Sequence, residues 1–453
     1  MKKNRSPWLH QLDKKRVTRT LTSDISTDVA IIGAGIAGVA TAFFILSTTE
    51  KRVVVLERAE LAHGATGHNA GQIVSYFERG FASLVNEFGL EKARDGQKAV
   101  EDAWNLLDRI YTKANLSIPL ARFTGHAGLT SADQVLLHLK NNLLRVRAGL
   151  NAEEIRISRT ADFLDHIPAE YAGLYTVVPH NDILTLLETH VREFIAVLSY
   201  QKGCLNSALF TQEVFVFLQK KYPDRFALYE HTSIEKIILH HNCALLDAGT
   251  HTVEAARVVL CTNGFESVRI FNKTGLDIDT KFHHLIEGKI GYMSGYLENM
   301  DKPPTAISYL TDPSANTDAP YFYLTRRPYT FEGDAKHNLI SVGGPESSLE
   351  NAAQYSYTDG YPELMNDTID RFVRRIYSLE PHHKIDYAFT WHGLMGYTKN
   401  GVRLVGPEPK NPTLLYNLGC NGIGILPSIC GGEKIARHIA GEQVPPSMFD
   451  VPH

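Results

Sequence analysis

Apolar positions cluster at two places near the start of the chain and set its organisation. Val29 to Ile32 is an unbroken apolar run, the pattern of a strand buried on both faces. Val39 to Leu46 is apolar and long enough for a packed helix, and Val53 to Leu56 is a second β-branched run ending at Glu57. Gly33, Gly35 and Gly38 lie between strand and helix with G-x-G-x-x-G spacing. Gly33 permits a tight turn, Gly35 has no side chain to block a pyrophosphate, and Gly38 lets the helix lie close on the strand. Ile36 and Ala37 open the helix, whose free N–H groups and partial positive charge suit phosphates. Glu57 stands nineteen residues past Gly38, where a carboxylate can accept from a ribose diol. Strand, glycines, helix, strand and acid in this order predict a dinucleotide site. Val29 to Leu46 is also eighteen residues without a charge, but its three glycines argue against a membrane-spanning helix.

Further along, residues from Arg79 to about Arg147 read as helical, with Ala99, Ala103, Leu106, Leu107 and Ile110 recurring at three and four. Tyr175 to Val178 reads as a strand, then Ile183 to about Leu198 as a long helix. Phe210 to Lys221 reads as another helix, and about 200–225 as an insertion. Short strands follow from Phe226 to Cys261, then the turn Thr262-Asn263-Gly264. Strand patterns at 289–296, 321–325 and 339–342 predict an antiparallel sheet over the site, followed by an amphipathic helix from Leu364 to Tyr377. Phe389 is expected to return the chain to the first domain. Near the C-terminus, Leu414 to Gly419, the glycine-rich turn at Asn421-Gly422-Ile423-Gly424-Ile425 and a helix to Ile439 repeat the strand–turn–helix device.

Length and composition add bounds. The 453 residues allow two or three domains. The net charge of −4 implies no bulk attraction to nucleic acid or membrane. Residues 1–27 form a basic, polar arm without an apolar signal core, expected to drape over the surface in solvent. Five cysteines without a close pair suggest a reducing, cytoplasmic setting. The histidine pairs His240-His241, His283-His284 and His382-His383 lack zinc-like spacing, so no metal site is expected.

The loop after Glu57 identifies a resemblance. Glu57-Arg58-x-x-Leu61 and Gly64-Ala-Thr-Gly-His-Asn-Ala-Gly71, continuing to Gln72, resemble the FAD-dependent D-amino-acid oxidase (DAO) superfamily, which includes glycine oxidase, sarcosine oxidase, D-amino-acid dehydrogenase and γ-glutamylputrescine oxidase. The C-terminal strand, glycine turn and helix carry the same resemblance. It implies an α/β fold: a Rossmann-like FAD-binding domain of glutathione-reductase type (28–78, 150–275 and 386–453) and an α+β substrate domain on an antiparallel sheet (79–149 and 276–385). It implies FAD held by the first glycines and Glu57, by Arg58, by the loop residues Ala65, Thr66, His68, Asn69, Ala70, Gly71 and Gln72, by Ile234 near the adenine, by Thr262, Asn263 and Gly264, and by Gly422 to Ile425 at the pyrimidine edge. In one branch of the family a histidine in this loop is bonded to the flavin, which makes His68 a candidate for such a link. No cysteine near Gly343-Gly344 matches the cysteinyl-flavin members.

The implied activity is oxidation of the C–N bond of an amine or amino acid, with hydride passing to flavin N5 and water hydrolysing the imine. Such chemistry needs no acid–base triad. A substrate carboxylate would call for an arginine, and Arg403, Arg326 and Arg327 are the candidates. Tyr321, Tyr323 and Tyr397 are candidates to shape the pocket. Oxygen or a quinone would serve as electron acceptor. Arg403 in place of the family's frequent Pro, and Asn400 in place of Asp, leave open a flavin-binding protein with a decayed pocket; a nicotinamide-only enzyme is a further alternative.

Overall fold

The computed structural model describes residues 3–264, 268–282, 285–311, 321–331, 333, 335–349, 354–380 and 382–452. His283-His284 lies outside them. Among the described residues two sheets enclose the site. The first has nine strands. At its centre Ile25–Ile32 pairs in parallel with Val53–Leu56 on one side and with Thr252–Leu260 on the other. Val29, Ala30, Ile31 and Ile32 are all buried, as an apolar run without alternation requires. Helix Ile36–Thr48 covers one face and packs against the C-terminal helix Ile425–Ile439. Asn411–Leu418 extends the sheet in parallel beside Thr252–Leu260.

The second sheet has ten strands, mostly antiparallel. Its long members are Ile286–Glu298, Phe322–Thr330, Lys336–Leu349 and Phe389–Thr398. The amphipathic helix Glu363–Tyr377 buries Ile369, Phe372, Val373 and Ile376 against its outer face.

Four expectations need correction. The helix expected over 183–198 is short, His180–Leu186, and Ala196–Cys204 is a strand of the second sheet. An apolar run such as Ile195 to Leu198 fits either element, and pairing with Ala121–Leu129 decides it. That partner strand also interrupts the stretch read as wholly helical from 79 to 147. Residues 200–225, expected as an insertion, are built into the fold as the end of strand Ala196–Cys204 and a helix. Helix Ser207–Lys221 leads into Phe226–Tyr229, which pairs in parallel with Val53–Leu56, so it is a crossover helix of the first sheet. The expected domain limits shift accordingly: Glu154–Ser158, Thr176–Val178 and Phe389–Thr398 belong to the second sheet, and the chain crosses to the first only after Thr398.

The largest departure is the N-terminal arm. Pro7–His10 forms a short helix capped by the Ser6 hydroxyl, and Trp8 is 0% exposed. Its indole N–H donates to the Asn69 carbonyl, its ring meets Trp391 edge-on at 6.2 Å between centroids, and Arg327 lies 4.9 Å over its face. The Ser6 hydroxyl donates to the Gly67 carbonyl. Basic residues in the arm hide this role, because its docking apolar residues, Pro7, Trp8, Leu9, Leu12 and Leu21, are scattered among them. Trp8→Ala is expected to cost about 3–5 kcal/mol, the usual penalty for emptying a buried aromatic site. Urea unfolding of the purified protein measures it, and a loss below about 1 kcal/mol would mean the arm is only draped on the surface.

Candidate active site

A cavity of about 1460 Å³ runs between the two sheets, from the ends of the parallel strands to the inner face of the second sheet. Gly33 has φ +103°, and a Cβ there would sit 2.7 Å from the Cys261 carbonyl oxygen. A Cβ on Gly38 would sit 1.9 Å from the Gly33 carbonyl oxygen, so Gly38 serves helix–strand packing and does not line the cavity. Gly35, Ile36 and Ala37 do line it. The Ile36 N–H donates to the Thr66 hydroxyl at 2.9 Å, which ties the loop to the helix start. Glu57 accepts from the Ala34 and Ala59 N–H groups at 2.8 and 2.9 Å, one on each oxygen. Burial pushes its carboxyl above the usual range and these backbone donors pull it back. Each oxygen keeps a lone pair for a hydroxyl donor. Arg58 and Ile234 line the same end.

The loop from Gly64 to Gln72 is fixed by its own amide. Asn69 donates to the Thr66 carbonyl at 3.0 Å and to Ser207 at 2.8 Å, while its oxygen accepts from the Gly71 N–H at 2.7 Å. Ala65, Thr66, His68, Asn69, Ala70 and Gln72 face the cavity. Gly71 does not: it has φ +69° and lies against Trp8. The space beside Gly64 is open, and a Cβ there would meet nothing within 4 Å. His68 donates through Nδ1 to the Gly64 carbonyl at 3.0 Å, and burial lowers its pKa to about 4. It is a neutral imidazole with Nε2 unprotonated.

Cys261, Thr262 and Asn263 close this part of the cavity, while Gly264 packs on Ile286 outside it. Gly422, Ile423, Gly424 and Ile425 line the opposite end, where helix Ile425–Ile439 begins without a side-chain cap. Among the described residues the Thr262 hydroxyl and the Gln72 amide nitrogen are buried without a partner. Both belong to cavity-lining residues, so a polar ligand there would complete them. Two helix starts, a carboxylate with spare lone pairs, two unpartnered polar atoms and an open glycine loop fit FAD.

The rest of the cavity is aromatic, with acids and the Lys289 ammonium among its lining. Tyr76, Tyr321, Tyr323 and Tyr397 line it together with Glu78 and Glu346. The Tyr321 hydroxyl lies 3.1 Å from both Glu78 oxygens. Burial raises the Tyr321, Tyr323 and Tyr397 phenols, and nearby carboxylates raise them further, so all three remain protonated. The Lys289 ammonium sits 4.6 Å over the Tyr397 ring. Sequence reasoning missed both acids. Glu78 follows the strand Gln72–Val74, and its position four residues past a cavity-facing loop strand was the available signal.

The arginine candidates meet a different fate. Arg326 lies outside the cavity and forms a bidentate pair with Glu188 at 2.6 and 2.7 Å, so it is not a carboxylate anchor. Arg327 is buried beside Trp8, likewise outside. Arg403 lines the cavity, but its Nε and two terminal nitrogens donate to the Asn417 side chain, the Gly419 carbonyl and the Asn417 carbonyl. Burial lowers its pKa to about 10, which leaves it charged at neutral pH. Arg79 is engaged by Glu87 and the Asn400 carbonyl.

A family model described as FAD dependent oxidoreductase (DAO) matches residues 28–438. A probable oxidoreductase, OrdL of Haemophilus influenzae, is 38% identical over 433 residues, covering 95% of this chain and 86% of that one. The γ-glutamylputrescine oxidoreductase of Escherichia coli is 35% identical over a 75-residue stretch, 17% of each chain. Among solved structures, glycine oxidase of Geobacillus kaustophilus superposes with a TM-score of 0.67 at 14% identity, over 94% of this chain and 98% of that one, which establishes a shared fold. With two sheets around an FAD-shaped cavity and a family match over most of its length, the chain belongs to the DAO family of FAD-dependent oxidoreductases.

Proposed function

We propose that the protein oxidises the C–N bond of an amine that arrives as a cation. The observation carrying this is the wall of Glu78, Glu346 and four phenols at the inner end of the cavity, with the arginines there already committed. Carboxylates and π-faces attract ammonium groups. A substrate carboxylate, as in an amino acid, would find no free guanidinium among the described residues at this end.

In this reading Gly35, Ile36 and Ala37 approach the pyrophosphate, Glu57 receives the adenosine ribose hydroxyls, Ile234 meets the adenine, and the Gly64–Ala70 loop and the Gly422–Ile425 turn flank the ring system. FAD held by these residues would supply the hydride acceptor, with oxygen or a quinone as the final electron acceptor. The phenols, the apolar Met293 and Met395 and the glycines Gly291 and Gly393 shape the space for the amine. His68, with Nδ1 held by Gly64, is read as a non-covalent neighbour of the cofactor. Five free cysteines suit a reducing, cytoplasmic setting.

Two measurements test this reading. Gly35→Val is expected to weaken FAD binding at least about 10-fold, because any Cβ there meets the Thr66 hydroxyl at 2.8 Å; fluorescence titration of apoprotein reads it, and acid precipitation of wild type should leave flavin in the supernatant. Anaerobic mixing with a panel of amines and amino acids should bleach the flavin bands with an amine lacking an α-carboxylate. Glu346→Gln should then raise KM about 10-fold, the scale of one charge-assisted contact. Bleaching by α-amino acids alone would overturn the amine assignment.

A further inference from the structure

Lys202 sits in the middle of strand Ala196–Cys204 with 0% of its side chain exposed. A buried ammonium is expected to pair with a carboxylate. Instead its hydrogen bond is to the Ser308 hydroxyl at 3.2 Å. Its Nζ also lies 5.0 Å from the Tyr200 ring centre and 6.0 Å from that of Tyr76. Room for the chain comes from Gly125 on the neighbouring strand, where a Cβ would fall 2.4 Å from the lysine Cδ. Ser308 lines the cavity and is the cross-strand partner of Tyr323, so it stands between the lysine and the acidic, aromatic end. Tyr76 also lines the cavity.

An amine that enters as an ammonium must lose a proton before a C–H beside nitrogen can leave as hydride. We propose that Lys202, acting through the Ser308 hydroxyl, takes that proton. The inference rests on the amine reading above. In the step, the substrate N–H bond breaks and its proton goes to Ser308 Oγ. The Ser308 proton passes in turn to the lone pair on Lys202 Nζ. A neutral amine and a lysine ammonium result, and no electrons are transferred. Glu78 holds the incoming cation and takes no proton in this step.

The groups around Lys202 are compatible with this. Burial pushes the lysine down to about 7, and Glu78 pulls it the other way. Tyr76 and Tyr200 have pKa values raised by burial and remain neutral. His126, from the adjacent strand Ala121–Leu129, is lowered to about 4 by burial and by Lys202, so it too is neutral. Among the described residues Glu78 is the anion that acts on the lysine. Near neutral pH the lysine therefore has a lone pair to offer.

The test compares wild-type holoenzyme with Lys202→Met and Ser308→Ala, using the amine that bleaches the wild-type flavin. The relay predicts a loss in kcat/KM of about 100-fold at pH 7, within the usual range for a positioned proton acceptor. That loss should shrink to a few-fold near pH 10, where free amine supplies the neutral form. A deficit that is constant with pH would make Lys202 a packing residue and overturn the proposal. Thermal melting gives a second reading without turnover. A folded-state pKa below the unfolded value near 10.4 means the unfolded chain binds more protons between those values, so stability rises with pH across roughly pH 7 to 10. Wild-type Tm should climb relative to Lys202→Met over that window, and parallel curves would overturn the neutral lysine. If Lys202→Met does not fold, Ser308→Ala carries the kinetic test. Wild-type flavin that no amine reduces would overturn the amine reading itself, an outcome distinct from pH-independent variants.

Discussion

The site depends on how closely two helices can approach. Ile36–Thr48 and Ile425–Ile439 both start at the cavity and pack against each other, and a Cβ on Gly432 would fall 2.9 Å from the Thr41 backbone nitrogen. Between them the Asn417 amide donates to the Thr41 hydroxyl at 3.2 Å and to the Ser428 carbonyl at 3.1 Å. Two uncapped helix starts directed at one space make a positive pole at each end of it. A long, electron-rich cofactor spans such a space, and the rest of the first sheet exists to hold the two starts in register. A larger residue at Gly432 would separate the helices and lose that alignment, and one at Gly38 would lift the first helix off its strand.

The N-terminal arm adds a second constraint, from outside the sheet. Asn69 orders its loop through its side chain, while its carbonyl takes N–H groups from both Trp8 and Trp391. Two indoles from opposite ends of the chain therefore converge on one loop carbonyl. Loop flexibility is removed by packing, because burial of a tryptophan secures the geometry better than surface hydrogen bonds alone. This gives the arm a part in shaping the cavity although none of its described residues lines it.

Legibility in the sequence follows the range of the interactions. The strand–glycine–helix–strand unit and the C-terminal repeat of that device are local, with periods and glycines that report directly on buried strands and close packing, and they appear where expected. Ala196 to Leu198 reads as the end of a helix in isolation because the apolar run takes its identity from pairing with Ala121–Leu129, some seventy residues earlier. The arm reads as a solvated tail because net basic charge obscures a few scattered docking residues. At the site, glycines and Glu57 are legible because backbone geometry demands them. The role of Arg326 is not, since its partner Glu188 is distant in sequence and only the fold brings them together. Glu78, Glu346 and Lys202 stand on separate strands or their edges, and no spacing announces their convergence.

Arg403 shows how a departure from a family pattern can be reinterpreted by its contacts. A guanidinium buried without a carboxylate is costly unless its donors are met. Here they are met by the Asn417 side chain and by the carbonyls of Asn417 and Gly419, at the end of the strand that feeds the Gly422–Gly424 turn. The side chain thus braces the turn from which helix Ile425–Ile439 starts. Its charge, retained with a pKa of about 10, adds to the positive end of that helix. Any electron-rich group resting at this end meets a stronger positive field than the helix alone would supply. Arg403 thus strengthens the positive pole at which this helix starts.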